Sequence, residues 1–239
     1  MTLAPSLLAL APGVALGTLL NNLAGRLLAR RAGLHVRATC AHCGYEMSLA
    51  QSVAFVSFLS RRGRCPRCGA RRSLRGLVLE LGAGVLAVAC FARFGFSGRA
   101  FIASAFCAVL LLLALIDTQK RVLPNAIVLP AAFGILAADI AVAPSRSLEW
   151  IAAALAAGLA LLALALAHRG SIGMGDVKLA FLIGAGLGKA VALALFVSFL
   201  GVFFPAAFLI ATRGLSARKE TIPFGPFLAA GAVIALLAT

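Results

Sequence analysis

Charged residues are scarce in this sequence of 239 residues. Only 12% of the residues are charged, seven residues are acidic, and the chain has one Trp, one Tyr and three His. Soluble domains carry about 25% charged residues. Here hydrophobic residues make up 62% of the chain and the mean hydropathy is +1.05. The composition therefore excludes an ordinary soluble protein and places the chain in a lipid bilayer.

Long apolar runs recur along the chain, and a membrane-spanning helix needs roughly 20 such residues. None of the runs shows the alternation that marks an outer-membrane β-barrel. The sequence therefore predicts an all-α polytopic membrane protein with about eight transmembrane helices. We expect the spans at Leu3–Leu23, Gly76–Ala92, Ala100–Ile116, Asn125–Val142, Leu148–Ala167, Val177–Thr212 and Phe224–Ala238. Residues 177–212 are long enough for two short passes, with a turn at the glycines of 184–188 and Lys189.

The net charge of +15 comes from basic residues that fall between the expected spans. Basic loops remain in the cytoplasm and set the orientation of membrane proteins, which explains the charge better than nucleic-acid binding. Eleven Arg residues lie within residues 25–75, so this segment is expected in the cytoplasm. No Lys or Arg precedes Arg26. The start therefore lacks the basic region of a secretory signal, and we expect a retained first helix.

The cytoplasmic segment contains two Cys-x-x-Cys pairs about twenty residues apart, a spacing that suits tetrahedral zinc. The four thiols belong to Cys40, Cys43, Cys65 and Cys68. Gly44 and Gly69 directly follow the pairs and suit the tight turns of two knuckles. A disulfide is not expected in a reducing compartment. Four thiols without a metal, in a vestigial ribbon, are the alternative.

These features divide the chain into three parts. We predict a first transmembrane helix at 1–24, a small zinc-ribbon-like loop domain at 25–75 and a transmembrane core at 76–239. About fifty residues can hardly bury a stable core without a metal. The metal is therefore expected to be structural, shaping a surface on the cytoplasmic face of the membrane.

Two of the seven acids lie at the ends of expected spans. Asp117 closes the third span in LLLLALIDTQKRVLPN, and Asp176 opens the sixth in GSIGMGDVKLAF. By the count of passes, both reach the cytoplasmic side, and acids near a membrane interior are costly and default to functional candidates. Simpler explanations remain, namely a helix end facing water for Asp117 and a first turn favoured by the helix dipole for Asp176.

Paired carboxylates can cleave a peptide bond with water. Two close acids in a partly dry site share one proton and titrate as a unit. The ionised acid can take a proton from water while the protonated acid donates to the scissile carbonyl. Gly173 and Gly175 remove side chains ahead of Asp176, so an extended peptide could approach closely. No residue competes as a nucleophile, since His168 has no obvious Ser or Cys partner.

Five stretches, in order, resemble one family. They are GTLLNNLAGRL (17–27), SFLSRRGRCPRCGARRSLRGLVLEL (57–81), LIDTQKRVLPN (115–125), GMGDVKLAFLIGAGLG (173–188) and IPFGPFLAAG (222–231). The family is that of the bacterial prepilin leader peptidases, which are membrane aspartic peptidases of the Gly-x-Gly-Asp type with an added N-methyltransferase activity.

The resemblance implies a function and assigns site residues. Asp117 and Asp176 would be the catalytic pair, the four cysteines would hold zinc, and Glu80 would correspond to the family Glu. The family cleaves the basic leader from type IV prepilins or type II secretion pseudopilins at the cytoplasmic face of the bacterial inner membrane. It then methylates the new N-terminus with S-adenosylmethionine. Gly173, Gly175 and Glu80 would line the substrate approach, and prepilins and membrane lipids would be the partners.

The chain departs from the family pattern at a few positions. Ala54 stands where the family has Pro, Gly76 and Leu77 replace Tyr-Pro, and Asn125 replaces Asp. Most of these lie in the ribbon and its exit, so a peptidase without methyltransferase activity is one alternative. A non-enzymatic membrane scaffold or transporter with a zinc-stabilised loop is another. No Gly-rich nucleotide loop assigns a site for S-adenosylmethionine.

Overall fold

The computed structural model describes residues 6–28, 40, 42–48, 52–71, 74–167, 173–213 and 223–239. Within these ranges the chain is helical apart from turns, and β-pairing is limited to isolated bridges such as that between Arg64 and Arg71. The helices are α1 (Leu10–Leu28), α2 (Ala54–Arg61), α3 (Leu74–Phe94), α4 (Gly98–Lys120), α5 (Asn125–Val142), α6 (Ser147–Ala167), α7 (Met174–Leu187), α8 (Val191–Arg213) and α9 (Gly225–Ala238). The all-α prediction is confirmed for this part of the chain.

Five of the described segments are long and apolar enough to cross a membrane. They are Leu74–Phe94, Gly98–Lys120, Asn125–Val142, Pro144–Ala167 and Met174–Phe208. The helix α9 is also apolar but has only 14 residues. The chain is thus a multi-pass membrane protein. Several helices extend a few residues beyond the expected apolar runs, because a helix can continue into the interface with polar residues at its ends.

The turn expected within residues 177–212 is present. Helix α7 ends at Leu187, and a 3₁₀ turn at Gly188–Ala190 leads into α8. Gly188 has a φ of 57° and a ψ of −131°, a conformation that residues with a side chain rarely adopt. Glu149 fixes this turn, since its Oε1 accepts a hydrogen bond from the Lys189 N–H at 3.3 Å. Its carboxylate also binds the Arg146 guanidinium at 2.9 Å.

The chain divides into two compact units, Met1–Leu112 and Leu113–Thr239. In the first unit, α1 packs closely against α3. A Cβ on Gly17 would lie 2.9 Å from the Glu80 Cα, so a larger residue would push the helices apart. Small residues allow such close helix contacts in membranes, where packing drives association.

Helix α7 is the centre of the second unit. It packs against α5, α6, α8 and α9, and nine of its 14 residues are buried. Gly184 of α7 lies directly against the α6 backbone at Ala153. A helix enclosed by four neighbours holds the residues of its first turn, including Asp176, in a defined position.

Candidate active site and metal centre

Asp117 lies in the last turn of α4 and is only 7% exposed. Its Oδ2 accepts a hydrogen bond from the Gly225 N–H at 3.1 Å. Gly225 is the first residue of α9, where backbone N–H groups have no partner within the helix. A Cβ at position 225 would lie 2.7 Å from the same Oδ2. The missing side chain of Gly225 therefore lets the start of α9 reach the carboxylate.

Asp176 lies in the first turn of α7 and is half-buried. Its Oδ2 accepts a hydrogen bond from the Gly173 N–H at 3.3 Å. The Asp176 carboxylate is near enough to Asp117 for the two groups to interact electrostatically. The second unit thus brings together the two acids that the sequence singled out, and their catalytic role stays a prediction.

Gly175 contacts a loop of the same chain. A Cβ at position 175 would lie 3.0 Å from the Cβ of Leu123, a buried residue just after α4. The absent side chain lets this loop pack on α7, which brings the Asp117 end of α4 toward Asp176. Gly173 is exposed instead, and among the described residues its Cβ would meet only Asp176 Oδ2 and Gly175 N within 4 Å. Of the two glycines, Gly173 is the one with room for another backbone.

A second link joins α5 to α7 beside the acids. The Lys178 ammonium donates a hydrogen bond to Asn125 Oδ1 at 2.8 Å. Asn125 begins α5, and Lys178 is two residues after Asp176 in α7. The sequence alone marks Asn125 only as a departure from the pattern of the family that it resembles. Its closeness to Lys178 could not be read from positions 53 residues apart.

Glu80, expected on the substrate approach, is 0% exposed within the first unit. Its carboxylate accepts hydrogen bonds from Thr18 Oγ1 at 2.8 Å, from the Ala54 N–H at 2.7 Å and from the Phe55 N–H at 2.8 Å. These donors enclose the carboxylate between α1, α2 and α3. The geometry gives Glu80 a role in packing these helices, since both carboxylate oxygens already have protein partners.

The four cysteines form one cluster in the first unit. All four Sγ atoms lie within 4.8 Å of one another. The Sγ atoms of Cys40 and Cys68 are 3.7 Å apart, and those of Cys43 and Cys65 are 3.8 Å apart. A zinc tetrahedron with Zn–S bonds of about 2.3 Å has S···S edges of about 3.8 Å. The donor set therefore fits a structural zinc ion, and His42 is exposed beside it.

The two cysteine pairs sit in matching turns. The N–H of Gly44 donates to the Cys40 carbonyl at 3.0 Å, and that of Gly69 donates to the Cys65 carbonyl at 3.0 Å. The φ angles of the two glycines are 69° and 70°. This left-handed conformation favours glycine. The predicted role of the two glycines in the knuckles is confirmed.

The knuckles also favour thiolates. Backbone N–H groups of Cys68 and Arg67 lower the pKa of the Cys65 thiol to about 6. Those of Cys43 and His42 likewise lower the pKa of the Cys40 thiol. The thiolate is the form that ligates a metal, so the turns prepare both residues for metal binding.

Some sequence-based expectations concern residues that the structure does not describe. His168 lies outside the described ranges, as does the beginning of the expected span Leu3–Leu23.

These observations define a polytopic helical membrane protein with a paired-carboxylate site and a four-cysteine centre. A family model described as the Bacterial Peptidase A24 N-terminal domain matches residues 12–94. Another, described as the Type IV leader peptidase family, matches residues 104–211. The chain belongs to the type IV leader peptidase family.

Curated relatives agree with this assignment. A protein of Bacillus subtilis (strain 168) is 36% identical over 207 residues, which cover 84% of this chain and 81% of the relative. One of Burkholderia pseudomallei (strain 1026b) is 37% identical over 206 residues, and the chain spans 66% of its length. One of Aeromonas hydrophila is 32% identical over 207 residues, or 71% of that protein. All three are named prepilin leader peptidase/N-methyltransferase. No solved structure matches the chain.

Proposed function

We propose that this protein cleaves the basic leader peptide from type IV prepilins or type II secretion pseudopilins and then methylates the new N-terminus. Its relatives carry the name of this bifunctional enzyme. The observation that carries the peptidase half is the approach of Asp117 and Asp176 at the ends of two apolar helices. Membrane acids are costly, and two that interact have a chemical use that one alone lacks.

The chemistry needs one water molecule and one shared proton. Oδ2 of Asp117 accepts the Gly225 N–H, and among the described residues Oδ1 is the oxygen left to share a proton with Asp176 or to bind water. The ionised acid takes a proton from water as the water oxygen attacks the scissile carbonyl, and the other acid protonates the carbonyl oxygen. Collapse of the tetrahedral intermediate breaks the C–N bond, and a proton passes to the leaving amine.

The proposed topology has eight transmembrane helices, namely α1 and α3–α9, in the bacterial inner membrane. With residues 25–75 in the cytoplasm, alternate passes place the end of α4 and the start of α7 on the cytoplasmic side. That order supports an active site at the cytoplasmic face, with Gly173 on the substrate approach. The short helix α2 is left outside this count.

The proposed enzyme uses a zinc ion and the cosubstrate S-adenosylmethionine. The four cysteines would hold zinc, which would close the loop between the two knuckles, and the fit of the S···S distances supports this. S-adenosylmethionine would supply the methyl group to the new N-terminus. The names of the relatives support the methyl transfer, and a peptidase with a purely structural ribbon is the second candidate.

Incubation of the purified full chain with a prepilin and S-adenosylmethionine tests both halves. Mass spectrometry of the product should show loss of the leader and one added methyl group. Leader loss without the methyl group would favour the second candidate. Asp139→Asn is a matched control, because Asp139 is a buried acid of α5 with 1% exposure. The control should still cleave, whereas Asp117→Asn should not. Cleavage retained by Asp117→Asn would show that Asp117 is not catalytic, and absence of cleavage by the wild type would favour a scaffold or transporter instead.

A further inference from the structure

The short helix α2 carries apolar side chains on two faces. Ala54 and Ser57 are buried, with exposures of 1% and 6%. Ala54 packs against Gly76, in the first turn of α3. On the other face, Phe55 is 44%, Val56 41% and Leu59 79% exposed. At about 100° per residue, these three positions fall within an arc of about 100°, the width of one apolar face of a helix. An eight-residue helix thus presents a cluster of large apolar side chains away from the protein.

Glu80 anchors this helix to a transmembrane span. The N–H groups of Ala54 and Phe55 are two of the unpaired donors at the start of α2, and both donate to Glu80. Val53, at the N-cap, has no side-chain oxygen that could accept them. Glu80 therefore supplies the acceptor that the N-cap residue of α2 lacks.

The position of Glu80 along α3 sets the depth of α2. Glu80 is six residues after Leu74, the first residue of the span Leu74–Phe94. At 1.5 Å per residue, this is about 9 Å along the helix axis. The whole span has 21 residues, little more than the roughly 20 that cross the hydrocarbon layer. The first residues of α2, which donate to Glu80, are therefore held below the end of the span, in the outer part of the acyl layer.

Basic side chains follow the apolar cluster. Arg62, Arg64, Arg67 and Arg71 come directly after α2 and are exposed. Amphipathic helices that lie in the interface bury an apolar face about 5–10 Å into the headgroup and acyl boundary, next to basic residues. Basic residues near an anionic leaflet are attracted to its headgroups. The charge, the depth and the exposed face all suit a lipid surface containing anionic headgroups.

We infer that α2 is an interfacial helix, which inserts Phe55, Val56 and Leu59 into the lipid leaflet on the ribbon side and is fixed at that depth by Glu80. The occupant of the exposed face is lipid. This inference needs only the membrane location of α3 and is independent of the proposed cleavage reaction.

Tryptophan fluorescence of the full chain in lipid nanodiscs tests the inference. Leu59→Trp places a probe at the most exposed apolar position, and the wild type, with its single Trp150, gives the background. Glu46→Trp is the matched control, since Glu46 is an exposed residue of the cysteine ribbon. Lipids brominated high on the acyl chain report membrane contact, and acrylamide reports contact with water.

The emission added by Leu59→Trp should fall about two-fold in brominated lipid, as expected for burial near the acyl boundary, and should resist acrylamide. Glu46→Trp should behave in the opposite way. Quenching of both probes alike by acrylamide would overturn the inference. Protection of position 59 only after addition of a prepilin would also overturn it, because the face would then bind peptide.

The role of Glu80 has its own test in the Leu59→Trp background. Glu80→Ala should abolish the bromolipid quenching, because α2 loses both N-terminal hydrogen bonds. Thr18→Ala removes another donor to the same carboxylate but none to α2, and should keep the quenching. Equal quenching in the Glu80→Ala and Thr18→Ala variants would show that Glu80 does not anchor α2.

The basic residues after α2 are tested by the double variant Arg62→Glu with Arg64→Glu. It should remove any excess of quenching in phosphatidylglycerol discs over phosphatidylcholine discs. An excess that persists would show that these charges do not draw α2 to anionic lipid.

Discussion

The two units of this protein each bury a carboxylate that accepts backbone N–H groups at the start of a helix, but they use it differently. In the first unit, Glu80 has three donors, from Thr18, Ala54 and Phe55. In the second, Asp117 has one donor among the described residues, Gly225, and another acid, Asp176, nearby. A fully satisfied carboxylate stabilises packing, whereas a partly satisfied pair retains oxygens for chemistry. Burial alone does not distinguish the two carboxylates, but the number of hydrogen-bond donors around each one does.

The largest effect should come from removing charge from the pair. Asp176→Asn should slow leader cleavage by at least about 10²–10⁴-fold, because a general acid or base contributes that much. The membrane yield and the zinc content should match the wild type. The rate at which purified protein cleaves a prepilin measures this loss. A rate within a few-fold of the wild type would show that the acid pair is not catalytic and does not differ from Glu80 in this respect.

The Gly225 N–H that donates to Asp117 offers the next test. Gly225→Ala would place a Cβ 2.7 Å from Oδ2 and push the carboxylate aside, and a shift of about 1 Å can cost about 10²-fold in rate. The fall should appear in kcat. Gly201→Ala is the matched control, because its Cβ would meet the Phe227 ring at 3.4 Å, an ordinary contact. Equal rates for the two variants would show that the α9 contact does not position Asp117.

Within the first unit, removal of the metal should unfold the ribbon but leave the packing of α1 on α3. The prediction is about one zinc per chain, with loss of the metal in Cys40→Ser, since four thiolates complete the tetrahedral shell. Hydrogen exchange at the Cys65 amide, which donates to the Ala70 carbonyl, should become fast after chelation. A stable metal content in Cys40→Ser would contradict the four-cysteine centre.

Glu80→Ala should cost stability in the first unit and leave the acids of the second unit intact. The buried Ala54 N–H and the part-buried Phe55 N–H would lose their acceptor, which costs about 2–4 kcal/mol in total. Hydrogen exchange at Ala54 and Phe55 should accelerate accordingly. Unchanged exchange at both amides would show that Glu80 is not needed to hold α2.

The smallest effect is expected at Asn125. Asn125→Asp would turn the Lys178 hydrogen bond into an ion pair. Exposed ion pairs contribute about 0–1 kcal/mol, so thermal stability should rise slightly and cleavage should change less than about three-fold. A drop in cleavage comparable to that of Gly225→Ala would mean that charge at this position disturbs the acid pair.

The sequence predicted those features that depend on local pattern. Apolar runs gave the helices α3–α8, and Gly188 marked the turn between α7 and α8. The cysteine spacing, with Gly44 and Gly69, gave the two knuckles. Asp117 and Asp176 could be paired because the count of passes places both at one side of the membrane.

Contacts made by the backbone could not be predicted. Gly225 reaches Asp117 across 108 positions through an N–H that every residue but proline has. Likewise, the sequence predicts Glu80 on the substrate approach, since no sequence pattern shows that the Ala54 and Phe55 N–H groups donate to it. The packing of Leu123 on Gly175 depends on a loop conformation that the motif alone does not encode.

The most direct test of the paired acids is a comparison of leader-cleavage rates for Asp117→Asn, Asp176→Asn and the double variant. Residues that act as one catalytic unit show strongly non-additive losses. The double variant should therefore be no slower than either single variant, with all three far below the wild type. Losses that multiply in the double variant, or cleavage retained in either single variant, would show that Asp117 and Asp176 do not work as a pair.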